Sequence, residues 1–370
     1  MKMKVWGVIP ITKGEFIFIE TILISFFFIL TIFFFWYRFP EYVTSSEILF
    51  HAKYIKYAAL FTTFMLIIET QYFLNQFIQK QLRVNKKQKE QIEFQKDNIT
   101  SSIRYAGRIQ SALLPPDNEI PENFEHFVYY KPKDIVSGDY YWISRKGAKT
   151  VFVAADCTGH GVPGAFMSVM GIAFLNEIVN ISDTLDEADV ILNKLRKKVI
   201  NVFYESKTND GMDMALCIID SEKMEVQFAG AFNPLLIVRK LGSNNTGDDT
   251  ELAKKRIQNK THELLHFKGD RFAVSKSIKE KPFNKQTIKL LTNDSLYIFS
   301  DGYIDQFGGK KGNKFFIKQF RKLLLEMQNL PMAKQKEMLE KTLIKWRQPF
   351  SGKIYEQLDD ILVLGIKIKP

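Results

Sequence analysis

The sequence predicts an α+β fold with mainly antiparallel sheets, preceded by membrane-spanning helices and a helical linker. Three observations carry this. Over the last two-thirds of the 370 residues, strand-like runs and helix-like patterns fall into groups and do not alternate one by one. The N-terminal region is apolar and takes a large share of the chain's 32 phenylalanines. Between the two lies a stretch rich in Lys, Gln and Glu, with no proline and a single glycine, Gly107.

Residues 16–37 form one apolar run broken only by Glu20 and a few hydroxyl groups. About 20 such residues span a bilayer core as helix. Trp36, Tyr37 and Arg38 close the run with side chains suited to the interface. The run is too long for a signal peptide, and no small-residue cleavage site follows it. Residues 57–78 form a second apolar segment, interrupted by Glu69, Gln71 and Asn75, which reads either as a second span or as an interfacial helix. Lys2, Lys4 and Lys13 precede the first segment. Lys80, Arg83, Lys86, Lys87 and Lys89 follow the second, while the loop between them is less basic. The positive-inside rule then places both termini in the cytoplasm. The expectation is a multi-pass protein of the inner (cytoplasmic) membrane with a large cytoplasmic domain. Two cysteines, Cys157 and Cys217, give no disulfide framework and fit a reducing compartment. The net charge of +11 concentrates its lysines beside the apolar region, which suits an anionic membrane surface. No basic patch interleaved with aromatics points to nucleic acid.

Residues 79–113 form the linker. Ile92, Ile99, Ala106 and Leu113 recur every seven residues, with Ile103 between, although Gln95 and Lys96 interrupt the seam. The stretch reads either as a coiled coil that makes a homodimer or as a solvated spacer helix. Pro115-Pro116 ends it.

The domain 114–370 carries strand patterns at 127–130, 150–155, 214–219, 225–229, 235–238, 286–291, 295–299 and 361–368. Helical patterns cover 163–179, 186–204, 314–327 and 332–348. Residues 241–262 are polar, without periodicity, and read as a flexible surface insert. Carboxylates recur at strand ends. Asp139 follows Val136-Ser-Gly, Asp156 ends Val151-Phe-Val-Ala-Ala, Asp301 follows Leu296-Tyr-Ile-Phe-Ser, and Asp359-Asp360 precede Ile361-Leu-Val-Leu. A single Asp-Gly pair is more often a turn than a ligand. Several carboxylates on one sheet rim are the oxygen donors that Mg²⁺ and Mn²⁺ require.

The motifs themselves carry a resemblance. Asp156-Cys-Thr-Gly-His-Gly-Val-Pro-Gly-Ala-Phe-Met-Ser168 closely resembles the signature of the SpoIIE-like branch of the PPM (type 2C) protein serine/threonine phosphatases. Ser137-Gly-Asp-Tyr-Tyr141, Phe228-Ala-Gly-Ala-Phe-Asn-Pro234, Ser300-Asp-Gly-Tyr-Ile-Asp305 and Asp359-Asp-Ile-Leu-Val363 are similar to its other elements, in order. Ile109-Gln-Ser-Ala-Leu-Leu-Pro-Pro116 is similar to the segment that leads into such domains. The resemblance covers about residues 109 to 370.

The resemblance implies an αββα sandwich with a binuclear Mn²⁺ or Mg²⁺ centre at the sheet rim. It implies Asp156 as the bridging ligand, the carbonyl of Cys157 on one metal, Asp301 and Asp359 on the other, and Asp139 direct or through water. Asp360 is an alternative to Asp359, because the two are adjacent. A hydroxide held between the ions would attack phosphorus in line. His160 reads either as the proton donor to the leaving oxygen or as a structural hydrogen-bonding residue in a tight loop. Where the family has Asp-Met-Phe-x-Thr, this chain has Asp210-Gly-Met-Asp213-Met-Ala, so either Asp210 or Asp213 could serve a third, weaker metal. Trp142 stands where an acidic residue is common. The implied substrate is a phosphorylated regulatory protein, such as an anti-sigma-factor antagonist. The alternative is a catalytically silent scaffold of the same fold. No nucleotide-binding glycine box supports a kinase.

Overall fold

The computed structural model describes residues 2–5, 9–12, seven single positions between 22 and 37, 46–116, 120–181, 185–204, 210–242, 253–276, 281–348 and 354–369. The first apolar segment, 16–37, lies largely outside the described residues. The chain divides into two compact units, Met1–Asp97 and Asn98–Pro370.

In the first unit, β1 (Lys2–Val5) pairs antiparallel with β2 (Ile9–Thr12). Helix α1 runs unbroken from Ser46 to Leu113 and so continues into the second unit. It joins the second apolar segment and the linker into one element. The reason is local: no Pro or Gly occurs between 46 and 106 to stop it. Tyr54, Leu60, Phe61, Phe64, Ile67 and Ile68 are all exposed on it.

In the second unit, the last turns of α1 dock on the domain through Ile103, Gly107 and Gln110, spaced to share one helix face, and Leu114 just past the helix packs on the same core. A Cβ at Gly107 would lie 2.9 Å from the carbonyl of Ile135, so only glycine admits this approach. The buried Gln110 donates from Nε2 to Ser137 O at 2.5 Å and to Ser168 Oγ at 2.7 Å. Its Oε1 accepts the Ser137 amide at 3.1 Å. Part of the predicted linker therefore belongs to the folded domain.

The domain continues through β3 (Phe124–Lys131), β4 (Tyr140–Lys146), β5 (Lys149–Cys157), α2 (Gly161–Asn180), α3 (Ala188–Val202), β6 (Met212–Asp220), β7 (Glu225–Ala231), β8 (Leu235–Lys240), β9 (Lys255–Gln258), β10 (His262–Phe267), β11 (Gln286–Lys289) and β12 (Ser295–Phe299). It ends with α4 (Gly302–Asp305), β13 (Phe307–Gly308), β14 (Asn313–Lys314), α5 (Phe316–Glu326), α6 (Met332–Arg347) and β15 (Ile361–Ile368). Two antiparallel sheets result, in the orders β3-β15-β12-β8-β10-β9 and β11-β7-β6-β5-β4. The end of the stretch read as a flexible insert forms β9 and the start of β10, an edge pair in which Leu264 lies opposite Ile257. Residues 243–252 of that insert lie outside the described residues.

Period-two alternation sorts each strand's side chains between layers. From β5, Phe152 and Ala154 face the other sheet, where they meet Leu235, Ile237, Ile298 and Leu364. Val151, Val153 and Ala155 face outward, under Ile172 and Leu175 of α2 and Ile191 and Leu195 of α3. On the far side, Tyr297, Phe299 and Val363 meet Phe320 and Leu324 of α5 and Leu339 and Leu343 of α6. Both sheets are covered on both faces, so their central strands read as continuous apolar runs. The architecture is the four-layer αββα sandwich that the resemblance implies.

Phe152 is fully buried between the sheets and packs edge-on against Phe124 at 5.9 Å. Phe152→Ala is expected to destabilise the domain by about 3–5 kcal/mol. The check is a lowered urea midpoint with an unchanged denaturant slope.

Candidate active site

Antiparallel connectivity explains why the carboxylates meet. Strand β5 ends, and β6 begins, at the same edge, with Asp156 directly opposite Asp213. In the other sheet β12 ends, and β15 begins, at the same edge, since Phe299 pairs with Val363. Asp301 therefore follows β12 where Asp359 precedes β15. A Cβ at Gly302 would fall 1.8 Å from the carbonyl of Asp360 and 3.5 Å from Cβ of Asp359. Glycine there lets the two chain segments close together.

Between the sheet ends lies a cavity of about 320 Å³ lined by Asp156, Cys157, Thr158, Gly159, His160, Asp213, Asp301 and Asp359. The β5–α2 loop is tied to the start of β6: the Thr158 amide donates to Gly211 O at 2.9 Å, and the Gly211 amide returns a bond to Thr158 Oγ1 at 3.2 Å. His160 sits at the mouth, with Nδ1 3.3 Å from Oδ2 of Asp134; both side chains are about half exposed. The Cys157 side chain packs in the core beneath α2, and burial drives its thiol pKa well up. What Cys157 offers the cavity is its backbone.

The structure separates Asp359 from Asp360. Asp359 lines the cavity. Asp360 is buried, and its carboxylate accepts backbone amides instead, from Lys133 at 2.7 Å and from Gly138 at 2.7 Å. Asp360 thereby fixes the loop that carries Asp139. Asp139 lies behind the cavity wall, almost fully buried, and accepts a 2.5 Å hydrogen bond from Ser300 Oγ. Of Asp210 and Asp213, only Asp213 lines the cavity. Ser300, Asp134 and Lys133 were not singled out as site residues in the sequence. An apolar strand ending in Ser-Asp-Gly is the signal that marks Ser300; no sequence pattern marks the other two.

The electrostatics are those of crowded like charge. Burial raises Asp156 to about 8, helped by the carboxylates of Asp301, Asp359 and Asp213 and by a hydrogen bond shared with Asp301. Asp213 rises to about 6, through burial and then Asp301. Asp139 is pushed well up by burial and by Asp156, and Asp301 is raised by burial and by Asp305 and Asp359. Asp359 is raised by burial, offset by the Asp360 amide and by the charges of Lys133 and His160. Such a cluster needs either protons or cations to persist. All its side-chain donors are carboxylate oxygens, with backbone beside them, which suits a hard divalent cation. Among the described residues no three acidic, His or Cys side chains already surround a single point. A cation that keeps several waters and takes only one or two carboxylates fits the cavity without such convergence.

The sandwich and its acidic rim define a PP2C-type phosphatase domain. The SiaA PP2C domain of Pseudomonas aeruginosa matches this structure with a TM-score of 0.59 at 25% identity, covering 74% of this chain and 98% of that one. The PP2C phosphatase domain of SpoIIE from Bacillus subtilis, with a fragment of its regulatory domain, shares the fold: TM-score 0.50, 20% identity, 66% of this chain and 63% of that one. No curated protein sequence matches. The profile of the family described as Stage II sporulation protein E (SpoIIE) matches residues 146–369, and the chain belongs to that family.

In the metal-free chain, Asp156 stays protonated when folded but ionises when unfolded between about pH 3.8 and about 8. The folded state then binds the extra proton, so its stability falls as pH rises through that window. Asp156→Asn removes this contribution. With EDTA present, the variant's Tm is expected to gain on the parent's from pH 4 to pH 8. A constant difference across that range would contradict the charge crowding.

Proposed function

We propose that this chain is a membrane-anchored, metal-dependent protein serine/threonine phosphatase acting on phosphoserine or phosphothreonine of a regulatory protein. The observation that carries the proposal is that Asp156, Asp213, Asp301 and Asp359 line one cavity at the rim of a PP2C-type sandwich. Asp156, the Cys157 carbonyl, Asp301 and Asp359 would hold two Mn²⁺ or Mg²⁺ ions. Asp139 would support them from behind, and Asp213 would serve a third, weaker ion. When bound, such ions supply Lewis acidity that activates water and neutralises phosphoryl charge. The protein's own part is to fix the carboxylates and to handle the leaving group. His160, with Nδ1 engaged by Asp134, has Nε2 left to give a proton to the serine or threonine oxygen. The buried Cys157 thiol takes no part.

The remaining parts of the reading concern the N-terminal region. The apolar side chains exposed along α1, a helix long enough and apolar enough to cross a bilayer, would be costly in water. That supports a membrane anchor in residues 57–78, beside the apolar run 16–37, with the phosphatase domain on the cytoplasmic side. The exposed Ile92, Ile99 and Leu113 support pairing of α1 with a second copy. An anti-sigma-factor antagonist of the partner-switching type is the regulatory substrate we propose.

The full-length protein is expected to release phosphate from p-nitrophenyl phosphate with Mn²⁺ and to lose that activity in EDTA. Asp156→Ala is expected to lower kcat by at least about 10³-fold, and His160→Ala, which removes the general acid, by about 10²-fold on a phosphoserine peptide, whose alkoxide leaving group needs the proton, and by much less on p-nitrophenyl phosphate. Undiminished turnover in chelator would overturn the metal-dependent reading.

A further inference from the structure

Resting on the phosphatase reading, a residue outside the recognised motifs takes on a role. Among the described residues three basic side chains bear on the acidic rim, and two of them are already engaged. Lys314 donates to Asp305 at 2.6 Å, and His160 is paired with Asp134. The third is Lys133. Among the described residues its ammonium has no ion pair and no hydrogen bond, although the residue is half-buried.

Its placement is fixed from two directions. Strand β3 pairs with β15, Lys131 opposite Ile361, and the same register continued two residues brings Lys133 opposite Asp359. The Lys133 amide donates to Asp360 Oδ1 at 2.7 Å, so the backbone at this point is locked to the segment that carries Asp359. The next residue, Asp134, holds His160 at the mouth. Lys133 is therefore fixed by its backbone beside the segment of a cavity-lining carboxylate, and it directly precedes the residue that pairs with the histidine proposed as proton donor. Its charge bears on Asp359 directly, as does that of His160. The Lys133 backbone is thus fixed beside a carboxylate cluster, while its ammonium has no partner of its own among the described residues.

We propose that Lys133 is a phosphate-binding residue, a cation on the Asp359 side of the cavity that takes a non-bridging oxygen of the phosphoryl group in both substrate and product. Its long side chain can follow the phosphate as the ester bond breaks. A contact made equally to substrate and product acts on binding more than on turnover.

The test uses the full-length chain in detergent at saturating Mn²⁺, with p-nitrophenyl phosphate as substrate and inorganic phosphate as competitive inhibitor. Lys133→Met is expected to raise both KM and the phosphate inhibition constant at least about fivefold, with kcat within about threefold. Lys133→Arg is expected to keep both constants within about threefold, since it retains a donor cation. Lys133→Gln, which keeps a polar side chain, repeats the first measurement should the methionine variant fail to fold. Unchanged KM and inhibition constant would overturn the proposal. So would an effect confined to the Mn²⁺ concentration needed for activity, because Lys133 would then act only on Asp359. A parent protein with no phosphatase activity would sink the phosphatase reading itself, a result distinct from either of these.

Discussion

The structure depends on one constraint: several carboxylates are forced together at the low-dielectric end of a β-sandwich. Two carboxylates about 5 Å apart repel by roughly 3 kcal/mol at an effective dielectric of 20. Four line this cavity, and a fifth stands behind it. No arrangement of the apolar core relieves that repulsion, because the core is what places the strand ends there. In the protein alone, relief comes from protons, as the raised Asp156 and Asp213 and the Asp156–Asp301 hydrogen bond show. Divalent cations offer the other relief, and they do so without giving up the charge that makes the site useful.

The supporting contacts follow from the same constraint. Asp360 gives both carboxylate oxygens to backbone amides and so holds the Asp139 loop against β15. Ser300 joins Asp139 to the strand that delivers Asp301, while its Oγ also accepts the Leu362 amide. Gln110 reaches the same loop at Ser137, from the last turns of α1. The rim is thus braced from both sheets and from the helix that enters the domain. Bracing of this kind keeps like charges close when they would otherwise part.

The sheets and the helix pairs were legible in the sequence because buried strands are long apolar runs and their ends carry Asp. β15 is read at its observed bounds for this reason. Strand β4 was missed because Tyr140-Tyr-Trp-Ile directly continues the Ser-Gly-Asp motif. Strand β10 was missed because it starts at the end of the polar insert. The long α1 was divided in the sequence reading because composition changes along it, yet composition does not stop a helix that contains neither Pro nor Gly there. Within the site, Asp156, Asp301 and the Asp359-Asp360 pair were legible from strand ends alone. The choice between Asp359 and Asp360 was not, since it turns on which carboxylate meets backbone amides. Nor was Asp213 over Asp210, which is decided by cross-strand register. Asp134 and Lys133 acquire meaning only when β3 lies beside β15.

The account stands on the acidic rim being a cation site whose carboxyls give up protons to the metal. Calorimetric titration of the full-length protein with Mn²⁺ at pH 7, in two buffers of different ionisation enthalpy, measures this directly. The account predicts binding accompanied by proton release, with the release reduced when Asp156 is replaced by Asn. Binding with no proton exchange, or no binding at all, would contradict it.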